Sequence, residues 1–269
     1  MTQSDCGKKS VPPRACAVPS RIMLVTPARI AYRGLFGTPD VRMMGAWMCY
    51  VALKQPFQIS IDGGPLRSET IALVPPFVPH RVSTPDREIV QMLLEAETVA
   101  SAEALEALIA TPERRAETAE KIRAGFDRPL QAPEDFDRHF FGTDIPERVL
   151  EPRIARAIAR ICACQSESVS AQDCAAEAGL SFSRFTHLFS SETQTTFRRF
   201  RAWKRARSLM SMVGGAPSLV NVALDAGYAD STHFSHAIRQ FYGYRPRDIF
   251  AGSRRLHVVS VWPSDAAVA

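Results

Sequence analysis

The sequence predicts an α+β chain: a β-rich first domain, then an all-α domain with two helix-turn-helix motifs joined by a linker helix. A duplication in the second half is the main observation. Phe185-Thr186-His187-Leu188-Phe189 and Phe234-Ser235-His236-Ala237-Ile238 share the order aromatic, hydroxyl, His, apolar, apolar, and each follows a short helical run ending in Ala-Gly. A second observation is that β-favouring runs are confined to residues 21–95. The third is charge. Of the net +5, residues 151–269 carry 15 Lys/Arg against 9 Asp/Glu, while the first 150 residues carry 18 against 19. The positive excess lies in the helical half, as a phosphate-binding surface requires.

The 269 residues suffice for two domains, and 46% apolar with 23% charged residues is ordinary globular composition. Residues 1–20 hold Pro, Ser and Lys with no apolar core, so they read as a flexible arm and not as a secretory signal. No run reaches membrane-spanning length. Cysteines stand at 6, 16, 49, 162, 164 and 174. Cys162-x-Cys164 with Cys174 invites a metal or redox reading. Cys174, however, matches Val222 of the second copy and is expected to be a core residue. The absence of a disulfide framework points to a reducing cytoplasm.

Residues 21–127 read as one domain with a helical end. Ile22–Val25, Trp47–Leu53, Phe57–Ile61, Thr70–Val74 and Ile89–Leu94 are expected strands, and Asp62-Gly63-Gly64 supplies a hairpin turn. Thr98 to Phe126 has helical periodicity, with Ala104, Leu105, Leu108 and Ile109 on one face and a break at Thr111-Pro112. Residues 128–151 hold Pro129, Pro133 and Pro146 and read as an interdomain linker.

Residues 152–252 form the second domain, and 253–269 read as a tail. Ser170 with Asp173 forms a capping box opening the first helix of the first motif. Gly179 and Gly227 occupy helix exits that need a left-handed backbone. Ser181 and Asp230 then cap the second helices. Phe185, Leu188 and Phe189 form the buried stripe of one such helix, leaving Ser183, Arg184, Thr186 and His187 outward. Phe234, Ala237, Ile238 and Phe241 do so in the other, leaving Ser231, Thr232, Ser235, His236 and Arg239. Short hydrogen-bonding and cationic side chains of this kind suit base edges and phosphates. Thr196 to Val213 reads as a single basic helix between the motifs.

Residues 170–250 resemble the DNA-binding domain of the AraC/XylS family of bacterial regulators. The matching residues are Ala175, Gly179, Leu180, Ser181, Phe189, Glu192-Thr193, Arg205, Ala223, Gly227, Tyr228, His233-Phe234-Ser235, Gly243 and Pro246. With the helix beginning at Pro152, the resemblance spans about a hundred residues. Gln194 replaces the glycine usual after Glu-Thr, Ile249 an aromatic, and Phe250 a residue that is commonly basic.

The resemblance implies double-stranded DNA as partner. Base-contacting positions then fall on Ser183, Arg184, Thr186, His187, Ser231, Thr232, Ser235 and His236. Candidate phosphate contacts are Arg198, Arg199, Arg201, Lys204 and Arg239. It further implies a cupin-like N-terminal module, with which Val74-Pro75-Pro76-Phe77-Val78-Pro79-His80 agrees. RNA polymerase, a small-molecule effector and a second copy of the chain are expected partners, with activation favoured. No metal or cofactor is expected, because His80 is the lone histidine of the first 138 residues. A satisfied structural histidine is the expectation for His80, with effector contact as the lesser reading. Two alternatives remain at this level. One is a DNA-repair alkyl transferase fused to such a domain, although Cys6 and Cys16 stand without the quartet that this enzyme needs. The other is a regulator whose first domain only dimerises.

Overall fold

The computed structural model describes residues 21–163, 169–212, 223, 227–228, 230–253 and 255–262. Its centre is a six-stranded sheet in the order β6-β3-β8-β2-β1-β9, faced by a three-stranded sheet in the order β5-β4-β7. The strands are β1 Ile22–Val25, β2 Arg29–Leu35, β3 Ala46–Ala52, β4 Phe57–Ile61, β5 Arg67–Glu69, β6 Ile71–Val74, β7 His80–Ser83, β8 Glu88–Glu95 and β9 His257–Ser260.

β1, β3, β6 and β8 of the larger sheet are largely buried on both faces, which explains why they read as nearly unbroken apolar runs. Along β3, Ala46, Met48, Tyr50 and Ala52 enter one core, while Trp47, Cys49 and Val51 enter another. The first core lies between the two sheets and takes in Phe57, Ile59 and Val82. The second is covered by helices α1 (Ala102–Glu106), α2 (Pro112–Gly125) and α3 (Phe136–Phe141). The expected break at Thr111-Pro112 is the start of α2, where the Thr111 hydroxyl accepts from the Arg114 amide. Asp62 and Gly63 both have positive φ, 51° and 71°, the combination a tight hairpin turn demands.

Four strands escaped the sequence reading: β2, β5, β7 and β9. Arg29–Leu35 carries two arginines and a glycine, and β5 and β7 are only three and four residues long. Residues 128–151, expected to be a linker, hold α3, whose Phe136, Phe140 and Phe141 are core residues together with Ile145. Three aromatic side chains dock this proline-rich stretch on the sheet.

The helical domain comprises α4 (Pro152–Ala163), α5 (Ala171–Glu177), α6 (Phe182–Thr193), α7 (Phe197–Met212), α8 (Ser231–Tyr242) and α9 (Pro246–Ser253). Its two motifs pack differently. α4, α5, α6 and the start of α7 enclose a core of their own around Ile154, Ile158, Cys174, Phe185, Phe189 and Phe200. Trp203, Leu209, Phe234, Ile238 and Phe241, from α7 and α8, instead join the core between the sheets. The first helix of the second motif lies largely outside the described residues.

Candidate nucleic-acid interface and interdomain cavity

Both recognition helices start from the caps that their sequences encode. Ser170 accepts from the Asp173 amide at 3.1 Å, opening α5. Ser181 accepts from the Arg184 amide at 3.3 Å, opening α6. Asp230 accepts from the Thr232 and His233 amides at 2.8 and 2.7 Å, opening α8. The two amides hold the Asp230 carboxyl below its ordinary range, so it is ionised and complements the helix N-terminus. Gly179 and Gly227 are left-handed, with φ of 64° and 71°. Gln194 takes the same left-handed conformation, φ 57°, at the end of α6, where the family pattern has glycine. Its amide group donates to the Ser191 carbonyl, one way a non-glycine is accommodated there.

On α6, Ser183, Arg184 and His187 are exposed, and Thr186 is half-buried with its hydroxyl donating back to the carbonyls of Phe182 and Ser183. On α8, Ser231, Thr232, His236 and Arg239 are exposed and Ser235 is half-buried. Each motif therefore offers an outward polar face over a buried aromatic stripe.

The linker helix α7 does not follow the expectation of a phosphate-binding strut throughout. Arg198 is exposed. Arg199 lies over the Phe77 ring at 4.3 Å and donates to the Phe77 carbonyl. Arg201 donates to the Val169 carbonyl. Lys204 is only 6% exposed and pairs with Glu95 and Glu97 of the β-domain. This corrects the expectation for Lys204: its ammonium is committed to two buried carboxylates and cannot reach a phosphate in this arrangement. The sequence offered no sign of it, since the carboxylates lie about a hundred positions away.

That cluster is the electrostatic centre of the interdomain contact. Glu95 also accepts from the Trp203 indole at 3.0 Å and pairs with Arg207 at 2.9 Å. Burial works to raise the Glu95 pKa, but Lys204 and Arg207 outweigh it and hold the carboxyl below the ordinary range. Burial dominates at Glu97 and pushes its carboxyl up. For Lys204 burial favours the neutral amine, yet its two carboxylates prevail and raise its pKa. Backbone contacts reinforce the cluster: Asp40 donates its amide to the Gly243 carbonyl at 2.9 Å, and Met43 to that of Gln240 at 3.1 Å. Gly45 has no side chain because the Trp203 ring fills the space a Cβ would take.

Between the β-domain and α7–α9 lies a cavity of about 640 Å³. Met23, Ile30, Phe36, Met44, Met48 and Leu93 line it from the sheets, and Met210, Tyr242, Tyr244, Ile249 and Leu256 from the other side. Arg42 also borders it, is 2% exposed, and packs its guanidinium against Phe36 and Tyr50. One nitrogen donates to Gln91 at 3.4 Å; Nε and Nη2 find no partner among the described residues. Arg42 thus brings a buried cation with two donors unmet by hydrogen bonds to a cavity that Asp86, Arg87 and Asp248 also line.

His80 does not line this cavity. Its Nδ1 donates to the Val78 carbonyl at 2.9 Å, and its Nε2 accepts from the Tyr50 hydroxyl at 2.8 Å. Both nitrogens are engaged, and burial, with Arg42 nearby, lowers its pKa to about 3. This is the satisfied structural histidine, and the effector-contact reading of His80 is set aside. Among the described residues, no three His, Cys, Asp or Glu side chains are grouped as metal ligands, and no helix is long and apolar enough to cross a membrane. Cys174 is buried in the core of the first motif, as its place in the duplication implies, while Cys164 lies outside the described residues.

Capped second helices with outward polar faces over a buried stripe are helix-turn-helix geometry, and residues 174–252 match the family model described as a helix-turn-helix domain. The matched residues lie within the stretch whose sequence resembles the AraC/XylS DNA-binding domain. Invasion protein InvF of Salmonella typhi is 31% identical over 72 residues, which make up 26% of this chain and 33% of InvF; the chain thus matches a third of that relative's length. Among solved structures, ToxT from Vibrio cholerae O395 superposes with a TM-score of 0.58 at 11% identity, covering 84% of this chain and 98% of ToxT. Unsaturated fatty acid bound wild-type ToxT from strain SCE256 gives 0.51 at 11% identity, covering 86% and 97%. At that identity the likeness concerns the fold, which extends over both domains.

Proposed function

We propose that the protein is a sequence-specific, DNA-binding transcription regulator, an activator working in the cytoplasm with RNA polymerase, and that an apolar carboxylic acid in the interdomain cavity controls it. The observation carrying the first part is the pair of capped recognition helices on a domain with excess positive charge. Ser183, Arg184, Thr186 and His187 read one half-site, and Ser231, Thr232, Ser235 and His236 the other. Arg198 and Arg239 anchor phosphates. Arg199 and Arg201 join them once their contacts with Phe77 and Val169 are exchanged for DNA. The α8 face reads loosely, because its hydroxyls cannot make the bidentate contacts that Arg or Asn make with a purine.

Arg42 supports the second part. Its free donors and the apolar walls suit one carboxylate on a hydrocarbon body, and the fatty acid bound by ToxT is a molecule of that chemistry. The test uses the full chain. Its bound sites are mapped across the genome, and affinity for one of them is measured against salt, with and without oleate. DNA binding that falls steeply with salt is expected, since displaced counterions create the slope. Oleate is expected to raise the melting temperature of the wild type and not that of Arg42→Met. Salt-independent or absent DNA binding refutes the first part; an equal oleate response in Arg42→Met refutes the second.

A further inference from the structure

The chain does not end with its DNA-binding domain. After α9 it returns to the β-domain, where β9 adds to the edge of the six-stranded sheet beside β1. The pairing is parallel, Ile22 to His257 through Val25 to Ser260, whereas every other pair in that sheet is antiparallel. The His257 amide donates to Arg21 at 3.0 Å and the Val261 amide to Val25 at 2.8 Å. Side chains alternate between the two faces, with Val258 and Val259 half-buried and His257 and Ser260 exposed. Leu256 and Val258 pack on the core between the sheets, and Val259 and Val261 on the opposite core. Leu256 also lines the cavity, as does Ile249 of α9.

From this we infer that residues 255–262 are an intramolecular strap. It fastens the second helix-turn-helix motif to the β-domain, closes one end of the cavity, and restrains the DNA-binding domain. α7 and α8 are joined to the β-domain at one end by the Glu95–Lys204–Glu97 cluster and at the other by the strap. With both fastenings closed, Lys204 and Arg207 of the basic helix face carboxylates instead of phosphates. Opening the strap leaves α9 and α8 held only by side-chain packing and the loop contacts at Asp40 and Met43, and it opens the cavity beside Leu256. The strap thus couples what occupies the cavity to how freely the second motif moves. That coupling rests on the DNA-binding reading; the fastening itself does not.

The test therefore has two readouts. In the full chain, His257→Pro and Val261→Pro together remove the donors of the bonds to Arg21 and Val25 at the two ends of the ladder, while keeping every apolar residue but Val261. A second variant ends the chain at residue 254. Hydrogen exchange is compared with the wild type across the whole molecule. Both variants are expected to accelerate exchange at β1 and in α7 and α8, with α4 to α6 unchanged. Faster exchange at β1 alone overturns the strap, since the strand then only covers an edge. DNA affinity on a mapped site is measured alongside, and release is expected to tighten binding about tenfold. Loosened α7 and α8 with unchanged DNA affinity overturns the restraining role. Loosened α7 and α8 in a chain that never binds DNA supports the strap and refutes the DNA-binding reading.

Discussion

The two helix-turn-helix motifs are near copies in sequence but not in surroundings. The first packs around its own core of Ile154, Ile158, Phe185, Phe189 and Phe200. The second has its aromatic stripe in a core shared with both β-sheets, where Phe234, Ile238 and Phe241 sit with Tyr50, Phe57 and Val82. The same amphipathic pattern is satisfied in one case by a small autonomous unit and in the other by a neighbouring domain. This gives one motif independence and makes the other sensitive to the cavity and to whatever loosens the β-domain.

The largest effect that would break this comparison comes from emptying each core. Phe189→Ala and Phe241→Ala should each cost about 3–5 kcal/mol, as cavity-creating changes of a buried aromatic do. Hydrogen exchange followed through denaturant should show Phe189→Ala loosening α4 to α6 and leaving the sheets intact. Phe241→Ala should lower the protection of β3 and β4 as well. Equal local damage from both would mean that the cores are not divided in this way.

Next is the DNA face. His187→Ala should cost about 1–3 kcal/mol on the specific site and much less on random duplex, measured by competition binding. Changing Ser231, Thr232, Ser235 and His236 together to Ala should weaken binding while the preference for the first half-site survives. A footprint of one helical turn that ignores the quadruple change would show that only the first motif engages DNA.

Acidification sharpens the contrast through His80, which lies in the shared region. Its folded pKa of about 3 is below the unfolded value of 6.5. The neutral ring's contribution is therefore complete above pH 6.5 and is lost as pH falls from 6.5 towards 3, because the unfolded chain binds the extra proton. The slope from this one group is about 1.4 kcal/mol per pH unit within that window. Thermal unfolding between pH 7 and 5 should show the β-domain weakening with this dependence, and His80→Gln should flatten it. The smallest effect is at the caps. Ser181→Ala and Asp230→Ala should each cost about 1 kcal/mol in helix stability. Circular dichroism melts should show the Asp230 change to be the larger, since its ionised carboxylate serves two amides.

The sequence by itself determined the parts of this protein that depend on neighbours along the chain. Ser170, Ser181 and Asp230 cap the helices they precede, Gly179 and Gly227 take the left-handed exits, and Asp62-Gly63 makes its turn, because each needs only residues within a few positions. The outward polar faces of α6 and α8 follow from helical periodicity for the same reason. Only the tertiary structure decided the rest. Lys204, placed by its helix among arginines expected to contact phosphates, was claimed by Glu95 and Glu97 from a strand end far back in the chain. A proline-rich stretch became α3, because Phe136, Phe140 and Phe141 found the back of the sheet. His257–Ser260, a tail by composition, became a strand because β1 offered it an open edge. In each case the deciding partner is distant in sequence, and local pattern cannot carry information about a contact whose other half lies in another domain.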